Sequence, residues 1–284
     1  MSKKCISCVS RKNNNKISAT TKKRADWKLN KGLKTIFPND KIPSLKGLKE
    51  TIPKGANQIV ELKLGKKNAN RFVLYYASQE QKLSNLKIYL PSEAYGNFKN
   101  KGIAKLDKDG NGILRIKCPR PYNENNITYS SHVHFILSNE KNTEWINKMF
   151  TQTVVCHLSF NEVREIVKNN SALLLNALPN EYYIKSRIPM SISLDHNLTL
   201  TKINEREVRD YIQSVLPHCP KINKKVLNGS LNLLDIPIVT YCYNERCEAD
   251  LYLQQKLNKI GFTNVKVYSG GIIEWNKMIK KNQN

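Results

Sequence analysis

The sequence predicts two folded domains of different class. Residues 35–150 read as an antiparallel β-sandwich, and residues 151–284 read as a domain of strands and helices. A chain of 284 residues is long enough for two domains that each bury a core. In the first domain, short apolar runs are separated by turn signals and helical patterns are scarce. In the second, apolar runs of strand length occur together with amphipathic helical patterns.

A disordered basic tail is predicted over residues 1–34. This segment holds eleven Lys and Arg against one acid, Asp26, within a chain of net charge +24. It is also rich in Asn and Ser, so it has too little apolar surface to fold alone. Such a tail could bind nucleic acid or an anionic surface nonspecifically. Composition alone is the alternative explanation, because the chain is rich in Lys, Asn and Ile throughout. Cys5 and Cys8 supply half of a zinc site with no second pair nearby, so no metal role is expected there.

Several signals point to a protein without membrane spans or a secreted disulfide framework. No run of eighteen apolar residues occurs, and the N-terminus lacks an apolar signal-peptide core. The chain has seven cysteines, an odd number. We therefore expect an intracellular, by default cytoplasmic, protein in a reducing compartment.

The first domain contains five strand-like segments: 58–64, 71–76, 86–90, 112–117 and 132–137. A glycine-containing turn at Asp107–Gly112 begins like a calcium-binding loop. Its twelfth position is Cys118, which cannot supply a bidentate carboxylate, so a hairpin turn is expected instead.

The most specific pattern in this domain is His132-Val133-His134. On a strand, residues two apart point to the same face, so both imidazoles face one side. Together with nearby tyrosines they form a candidate site for a hard metal such as Fe(III). Two polar residues on a solvated face are the alternative explanation. His157, His196 and His218 have no partner at metal-ligand spacing and read as surface or packing residues.

The segment from about Tyr89 to Gln152 contains, in this order, Tyr95, the segment that ends at Tyr122, the histidine pair and Thr151-Gln152. With these features it resembles the intradiol ring-cleavage dioxygenase family. The resemblance implies a β-sandwich with one Fe(III) ion and a small aromatic diol as substrate. The implied metal ligands are Tyr95, Tyr122, His132 and His134. Where the family often has a substrate-binding arginine, this chain has residues 129–131, Tyr-Ser-Ser.

In the second domain, Cys242 lies between a buried-looking strand at 236–241 and a helix at about 248–260. A cysteine at this position faces unpaired backbone N–H groups and the positive end of the helix dipole. Both favour the thiolate, which is the nucleophile. The alternative is a small buried hydrophobic residue.

Three motifs accompany Cys242: the loop 242–247, Cys-Tyr-Asn-Glu-Arg-Cys, the turn 261–265, and Ser269-Gly270-Gly271-Ile272 with Trp275. With these motifs, the region from about Thr153 on is similar to the rhodanese (sulfurtransferase) family. The similarity implies an α/β fold with a parallel sheet, a sulfur donor and a thiol acceptor. Two departures are Asn176-Ala177-Leu178, where the family usually has Asp-x-Arg, and Met190, where it usually has Gly.

The rhodanese resemblance also implies a role for each loop residue. Cys242 would carry a persulfide, Arg246 would hold an anionic donor, and Cys247 would either resolve the persulfide or sit passively in the helix. Tyr243, Asn244 and Glu245 would form the rest of the substrate-binding loop.

Three functional hypotheses remain open. The first is a sulfurtransferase acting at Cys242, fused to a β-sandwich with a candidate Fe(III) site. The second is a catalytically silent scaffold or interaction protein anchored by its basic tail. The third is an iron-dependent ring-cleavage dioxygenase with an accessory rhodanese-like domain.

Overall fold

The computed structural model describes residues 42–195 and 204–282. These residues form two compact units. The N-terminal unit comprises 42–81 and Tyr89–Val154, and the C-terminal unit comprises Lys82–Ile88 and the chain from Val155 on.

Some predictions fall on other parts of the chain. The predicted basic tail, Cys5, Cys8 and His196 lie outside the described residues. No helix of the described ranges is long and apolar enough to cross a membrane.

The N-terminal unit is built from antiparallel strands. A four-stranded sheet has the order β3-β2-β7-β8, β1 pairs with β4, and β5 pairs with β6. Its elements are β1 (Gln58–Lys63), β2 (Phe72–Ala77), α1 (Pro91–Tyr95), β3 (Lys101–Lys105), β4 (Asn111–Ile116), β5 (Tyr122–Glu124), β6 (Ile127–Tyr129), β7 (His132–Ser138) and β8 (Trp145–Thr153).

Burial follows the two-residue period of the strands. In β1 the alternate residues Gln58, Val60 and Leu62 are buried and their neighbours are exposed. All seven residues of β7 are buried, because this strand lies between β2 and β8 and both faces of the sheet are covered there.

The β1–β4 pair lies over one face of the four-stranded sheet. The Tyr75 hydroxyl of β2 donates to the Arg115 carbonyl of β4 at 3.1 Å. The Gln152 side chain of β8 donates to the Glu61 carbonyl of β1 at 3.3 Å. This two-layer antiparallel arrangement is consistent with the predicted sandwich. The opposite face of the four-stranded sheet carries a hydrophobic core that includes Leu74, Tyr76, Tyr95, Phe98, Tyr122, Ile136 and Met149.

Four of the five predicted strands are present. The prediction of a hairpin at Asp107–Gly112 is wrong, because β3 pairs with β2 and β4 pairs with β1, in different sheets. The segment is a tight turn that connects β3 to β4. Its geometry comes from Asp107, whose carboxylate accepts the amides of Asp109 and Asn111, and from Gly110 at φ 75°. The strand predicted at 86–90 is wrong. In this stretch Tyr89 forms one isolated bridge to Tyr122, and Pro91 then begins a helix.

The predicted domain boundary at residue 150 falls inside β8, which continues to Thr153. Strand β8 is partly exposed, and its pairing with β7 shifts register near Ser138. Apolar and polar residues therefore do not alternate regularly along this strand. The strand could therefore not be read as one continuous pattern.

The C-terminal unit has a four-stranded parallel sheet of order β10-β9-β11-β12. This confirms the predicted α/β domain with a parallel sheet. Its elements are α2 (Phe160–Asn169), β9 (Leu173–Asn176), α3 (Asn180–Lys185), β10 (Ile192–Ser193), α4 (Glu205–Val215), α5 (Pro220–Leu227), β11 (Ile238–Tyr241), α6 (Ala249–Ile260), β12 (Val265–Tyr268) and α7 (Gly271–Lys281).

Both faces of the parallel sheet are buried, as parallel sheets require. Successive residues of β9 point to opposite sides, so Leu173 and Leu175 enter one core and Leu174 enters another. The first core includes apolar residues of α4, α5 and α6, and the second includes residues of α2 and α7. The strand ends are thereby held in fixed positions, and the candidate site is built at one of these ends.

Two cysteines differ from the sequence-based expectation. Cys118 and Cys156 are disulfide-bonded, whereas Cys219, Cys242 and Cys247 are free thiols. The odd number of cysteines led us to expect a reducing environment, so these bonds were not predicted.

Candidate functional site

The loop 242–247 lies at the carboxyl end of β11, as predicted from the sequence. Cys242 follows the last residue of the strand, and α6 begins at Ala249. The side chains of Cys242 and Cys247 are both buried, at 0% and 3% exposure. Tyr243, Glu245 and Arg246 are exposed. The loop therefore presents polar side chains to solvent and keeps its two thiols inside.

Asn244 organises the loop. Its carbonyl accepts the Cys242 thiol at 3.8 Å and the Cys247 amide at 3.0 Å, and its side-chain oxygen accepts the Arg246 amide at 3.0 Å. The Cys242 sulfur also hydrogen-bonds with the Cys247 side chain and with the backbone of Asp250. The two thiols are thus neighbours inside one closed turn.

The first turn of α7, which begins at Gly271, holds the loop from the other side. The amides of Ile272 and Ile273 donate to the carbonyls of Cys242 and Tyr243 at 3.0 and 3.1 Å. Gly271 has φ 60°, and a Cβ there would lie 2.5 Å from the Cys242 carbonyl oxygen. Only glycine permits this approach. The structure therefore brings together two motifs that lie almost thirty residues apart in the sequence.

The prediction of a thiolate at Cys242 is wrong for this structure. Burial raises the pKa of the Cys242 thiol far above its ordinary value, and the hydrogen bond with Cys247 and the charge of Asp250 raise it further. The backbone hydrogen bond with Asp250 opposes the shift but is smaller. Removal of the sulfur from water outweighs the favourable end of the helix. Cys242 is therefore a thiol at neutral pH.

A buried polar cluster lies beside this loop and was not predicted. The Tyr241 hydroxyl is 2.7 Å from the Ser191 hydroxyl and accepts the Ile188 amide at 3.1 Å. Burial raises the pKa of Tyr241 above its ordinary range. At the end of β9, the Asn176 side-chain oxygen accepts the Leu178 amide at 2.8 Å. The side-chain amide of Asn176 therefore makes the hydrogen bond of this turn, at the position where the family usually has the carboxylate of Asp.

The N-terminal unit contains a second cluster, formed by the four predicted metal ligands. Tyr95 comes from α1, Tyr122 from β5, and both histidines from β7, and all four are less than 9% exposed. The His132 Nε2 atom is 3.1 Å from the Tyr122 hydroxyl, 3.4 Å from the Tyr95 hydroxyl and 3.2 Å from His134 Nε2. The two tyrosine hydroxyls are 3.4 Å apart. The structure thus brings all four side chains together.

The far side of each imidazole is also fixed. His132 Nδ1 donates to the Ser130 carbonyl at 2.6 Å, so its Nε2 carries the lone pair when the ring is neutral. His134 Nδ1 is 2.8 Å from the Thr151 hydroxyl. Burial and the charge of His132 hold the pKa of His134 well below its ordinary value. Both rings therefore aim their Nε2 atoms into the cluster.

The cluster fits a single metal ion. Two ligand atoms that bind one ion at about 2.0–2.2 Å lie about 3 Å apart, which is the spacing of these donors. Phenolate and imidazole together suit ferric iron. No group of three or more His, Cys, Asp or Glu within 42–195 and 204–282 could hold a metal, so this site depends on its tyrosines.

Two supporting residues of this cluster were missed as functional residues. Thr151 pairs with His134 across β7–β8, and Tyr76 pairs with it across β2–β7. The Tyr76 ring packs 5.2 Å from the His134 ring. Both contacts follow from strand register, which the sequence does not specify. Of the remaining histidines, His157 is hydrogen-bonded to Ser269 at 2.7 Å and His218 lies in a short 3-10 turn.

Comparison with known proteins identifies part of the chain. Residues 159–278 match the family model of the Rhodanese-like domain. No curated protein matches the chain. The C-terminal unit therefore carries a Rhodanese-like domain. The family match does not show the similarity to intradiol dioxygenases.

Solved structures are similar over less than half of the chain. The BH2092 protein from Bacillus halodurans is 22% identical, with 44% of this chain and 73% of that chain covered and a TM-score of 0.32. A human single-domain sulfurtransferase is 18% identical, with 43% and 95% covered and a TM-score of 0.28. A thiosulfate sulfurtransferase from Pseudomonas aeruginosa is 17% identical, with 44% and 19% covered and a TM-score of 0.30.

Proposed function

We propose that the C-terminal unit is a sulfurtransferase-type module that carries sulfur on Cys242. The observation that supports this most directly is a free Cys242 at the carboxyl end of β11, inside the segment that matches the Rhodanese-like domain. Ligands of open α/β sheets bind at the carboxyl ends of the strands. The loop also offers the exposed guanidinium of Arg246 close in sequence to the thiol.

The chemistry would proceed in two displacements. The Cys242 thiolate attacks the outer sulfur of an anionic donor such as thiosulfate, a persulfide forms and sulfite leaves. A thiol acceptor then takes the sulfur and regenerates Cys242. Arg246 would attract the donor, and Tyr243, Asn244 and Glu245 would line its approach. Because the pKa of Cys242 is raised, loss of its proton is expected to limit the first step.

The test is sulfur transfer from thiosulfate by wild type and by Cys242→Ser. We expect the variant to fall to the background rate. Cys219→Ser is the matched control, because Cys219 is another free, buried cysteine of the same unit. An unchanged rate in Cys242→Ser would show that the assignment is wrong.

We also propose a second activity, an Fe(III) centre in the N-terminal unit that acts on a small aromatic diol. The observation that favours it is the convergence of Tyr95, Tyr122, His132 and His134, whose neighbouring donor atoms lie 3.1 to 3.4 Å apart. Iron, when bound, would supply a Lewis acid that accepts the two diol oxygens and makes the diol reactive toward dioxygen.

The chain's own residues would prepare this centre. Tyr95 and Tyr122 would lose their hydroxyl protons and supply two negative charges, while the neutral histidines supply lone pairs. The Ser130 carbonyl and the Thr151 hydroxyl would keep both rings in place. The surrounding rings of Tyr76, Phe98 and Tyr129 would keep water away.

Iron content and visible absorption of wild type and of His132→Ala/His134→Ala test this second proposal. We expect near-stoichiometric iron and a visible phenolate-to-iron absorption in wild type only. A colourless protein that takes up no iron on reconstitution would contradict the proposal. If the Cys242 test also failed, the chain would be a scaffold without either activity.

A further inference from the structure

Cys242 and Cys247 form a pair of thiols, and this pair suggests a specific fate for the bound sulfur. Neither cysteine is in a disulfide, both are buried, and their side chains are hydrogen-bonded to each other. Both residues also hydrogen-bond to the Asn244 carbonyl, Cys242 through its thiol and Cys247 through its amide. The nearest reaction partner for a sulfur held on Cys242 is therefore inside the same loop.

We propose that Cys247 resolves the Cys242 persulfide, so that this module releases hydrosulfide and ends as a Cys242–Cys247 disulfide. The inference rests on the proposed sulfurtransferase function and replaces its external thiol acceptor by Cys247, which acts as the resolving thiol. The Cys247 thiolate attacks the Cys242 sulfur, a new S–S bond forms, and the bond to the outer sulfur breaks. The outer sulfur leaves as hydrosulfide. It is reduced, the two cysteines are oxidised, and an external dithiol reductant returns the pair to thiols.

The environment of Cys242 favours this direction of attack. Attack on the outer sulfur would instead require the Cys242 thiolate to leave. Burial and the charge of Asp250 disfavour that thiolate, as its raised pKa shows. A leaving thiolate of higher pKa leaves more slowly, so expulsion of hydrosulfide is the easier route. The exposed loop surface provides the exit, since the residues between the two thiols are largely exposed.

Cys219 provides a matched control within the unit. Its thiol is free and buried like Cys247, and burial raises its pKa to about 11. Its sulfur donates to the Ala172 carbonyl at 3.7 Å rather than to the loop. A general effect of removing a buried thiol would appear in both Cys219→Ser and Cys247→Ser. A resolving role would appear in Cys247→Ser alone.

The experiment is a single turnover of the full chain with one equivalent of thiosulfate and no reductant. Released hydrosulfide is measured, and non-reducing peptide mapping locates sulfur on the cysteines. We expect wild type and Cys219→Ser to show a Cys242–Cys247 linkage and about one equivalent of hydrosulfide per chain. In Cys247→Ser, hydrosulfide release should fall at least about tenfold, and the persulfide should persist on Cys242.

The outcomes separate this inference from the proposed function. A stable persulfide on wild-type Cys242, without the linkage, would overturn the role of Cys247 and leave sulfur transfer intact. No sulfur on Cys242 in either wild type or Cys247→Ser, and no linkage, would overturn the proposed function itself. The wild-type map needs no substitution, so a variant that fails to fold would not block the test.

Discussion

The Thr151 hydroxyl lies 2.8 Å from Nδ1 of His134, on the side of the ring that faces away from His132. The two residues are directly paired across strands β7 and β8. Strand β8 therefore sets the orientation of a candidate metal ligand that β7 carries.

Replacement of Thr151 by Val should weaken metal binding without loss of the fold. The side chain keeps its shape but no longer holds the His134 ring, and such outer contacts are worth about 10- to 100-fold in metal affinity. Iron titration of the purified protein measures the effect. Thr153→Val, on the same strand but exposed, should bind iron like wild type. Equal affinity for Thr151→Val would contradict the orienting role.

Tyr122→Phe should remove most of the visible absorption and most of the bound iron. The substitution deletes the hydroxyl that lies 3.1 Å from His132 Nε2 and keeps the ring that packs in the core. Tyr129→Phe is the control, since the Tyr129 ring packs 5.6 Å from the Tyr122 ring. Full iron content in Tyr122→Phe would exclude this tyrosine as a ligand.

The alkylation of Cys242 should be slow at neutral pH and should accelerate as the pH rises above the ordinary thiol range. The rate rises with pH because only the thiolate reacts, and the raised pKa of Cys242 moves thiolate formation to higher pH. Asp250→Asn should increase the rate at neutral pH about tenfold, because it removes a nearby negative charge. The side-chain oxygen of the new Asn can still accept the hydrogen bond that the Leu251 N–H donates to Asp250.

Peptide mapping after iodoacetamide treatment gives the rate for each cysteine. Asp210→Asn, at an exposed position of α4, serves as the control for loss of one charge. A wild-type Cys242 that reacts faster at pH 7 than an unstructured cysteine peptide would show that its thiolate is stabilised after all.

Gly271→Ala should destabilise the C-terminal unit by about 3 kcal/mol, from a left-handed backbone and from a clash with the Cys242 carbonyl. Gly229→Ala separates the two causes. Gly229 has a similar φ of 73°, but a Cβ there would meet nothing within 4 Å. The control should therefore cost only about 1 kcal/mol. Urea unfolding measures both, and equal losses would show that the contact between Gly271 and the loop is unimportant.

Met190→Gly should stabilise the C-terminal unit by about 1 kcal/mol. Met190 has φ 63°, which is strained for a residue with a Cβ, and its side chain is 44% exposed. Asn170→Gly is the comparison, because Asn170 ends α2 at φ 48° and Asn tolerates this conformation. A loss of stability in Met190→Gly would mean that the methionine side chain contributes packing that outweighs the strain.

The sequence predicted local features of the fold well where a short pattern was sufficient. Helix α6 and strand β1 lie within one residue of their predicted starts, because each combines a clear apolar pattern with a marked end. Strand β3 was not predicted. Its short sequence contains Gly102, which lies under the Tyr75 ring of the neighbouring strand, so only the partner explains the residue.

For the candidate sites, too, the sequence predicted local properties but not those that depend on folding. The residue types and their order along the chain predicted Cys242 and the four tyrosine and histidine side chains, because donor chemistry is a local property. Their protonation was not predictable. The raised pKa of Cys242 depends on how deeply the folded loop buries the sulfur and on the position of Asp250.

The sequence by itself determined which groups could react and that two domains of different class carry them. Tertiary structure alone decided that Tyr95, Tyr122 and the histidine pair meet, and that Gly271 closes against the Cys242 loop. The physical reason is that distance, burial and strand register are properties of packed elements. For residues that lie tens of positions apart in the sequence, these properties are set only when the chain folds.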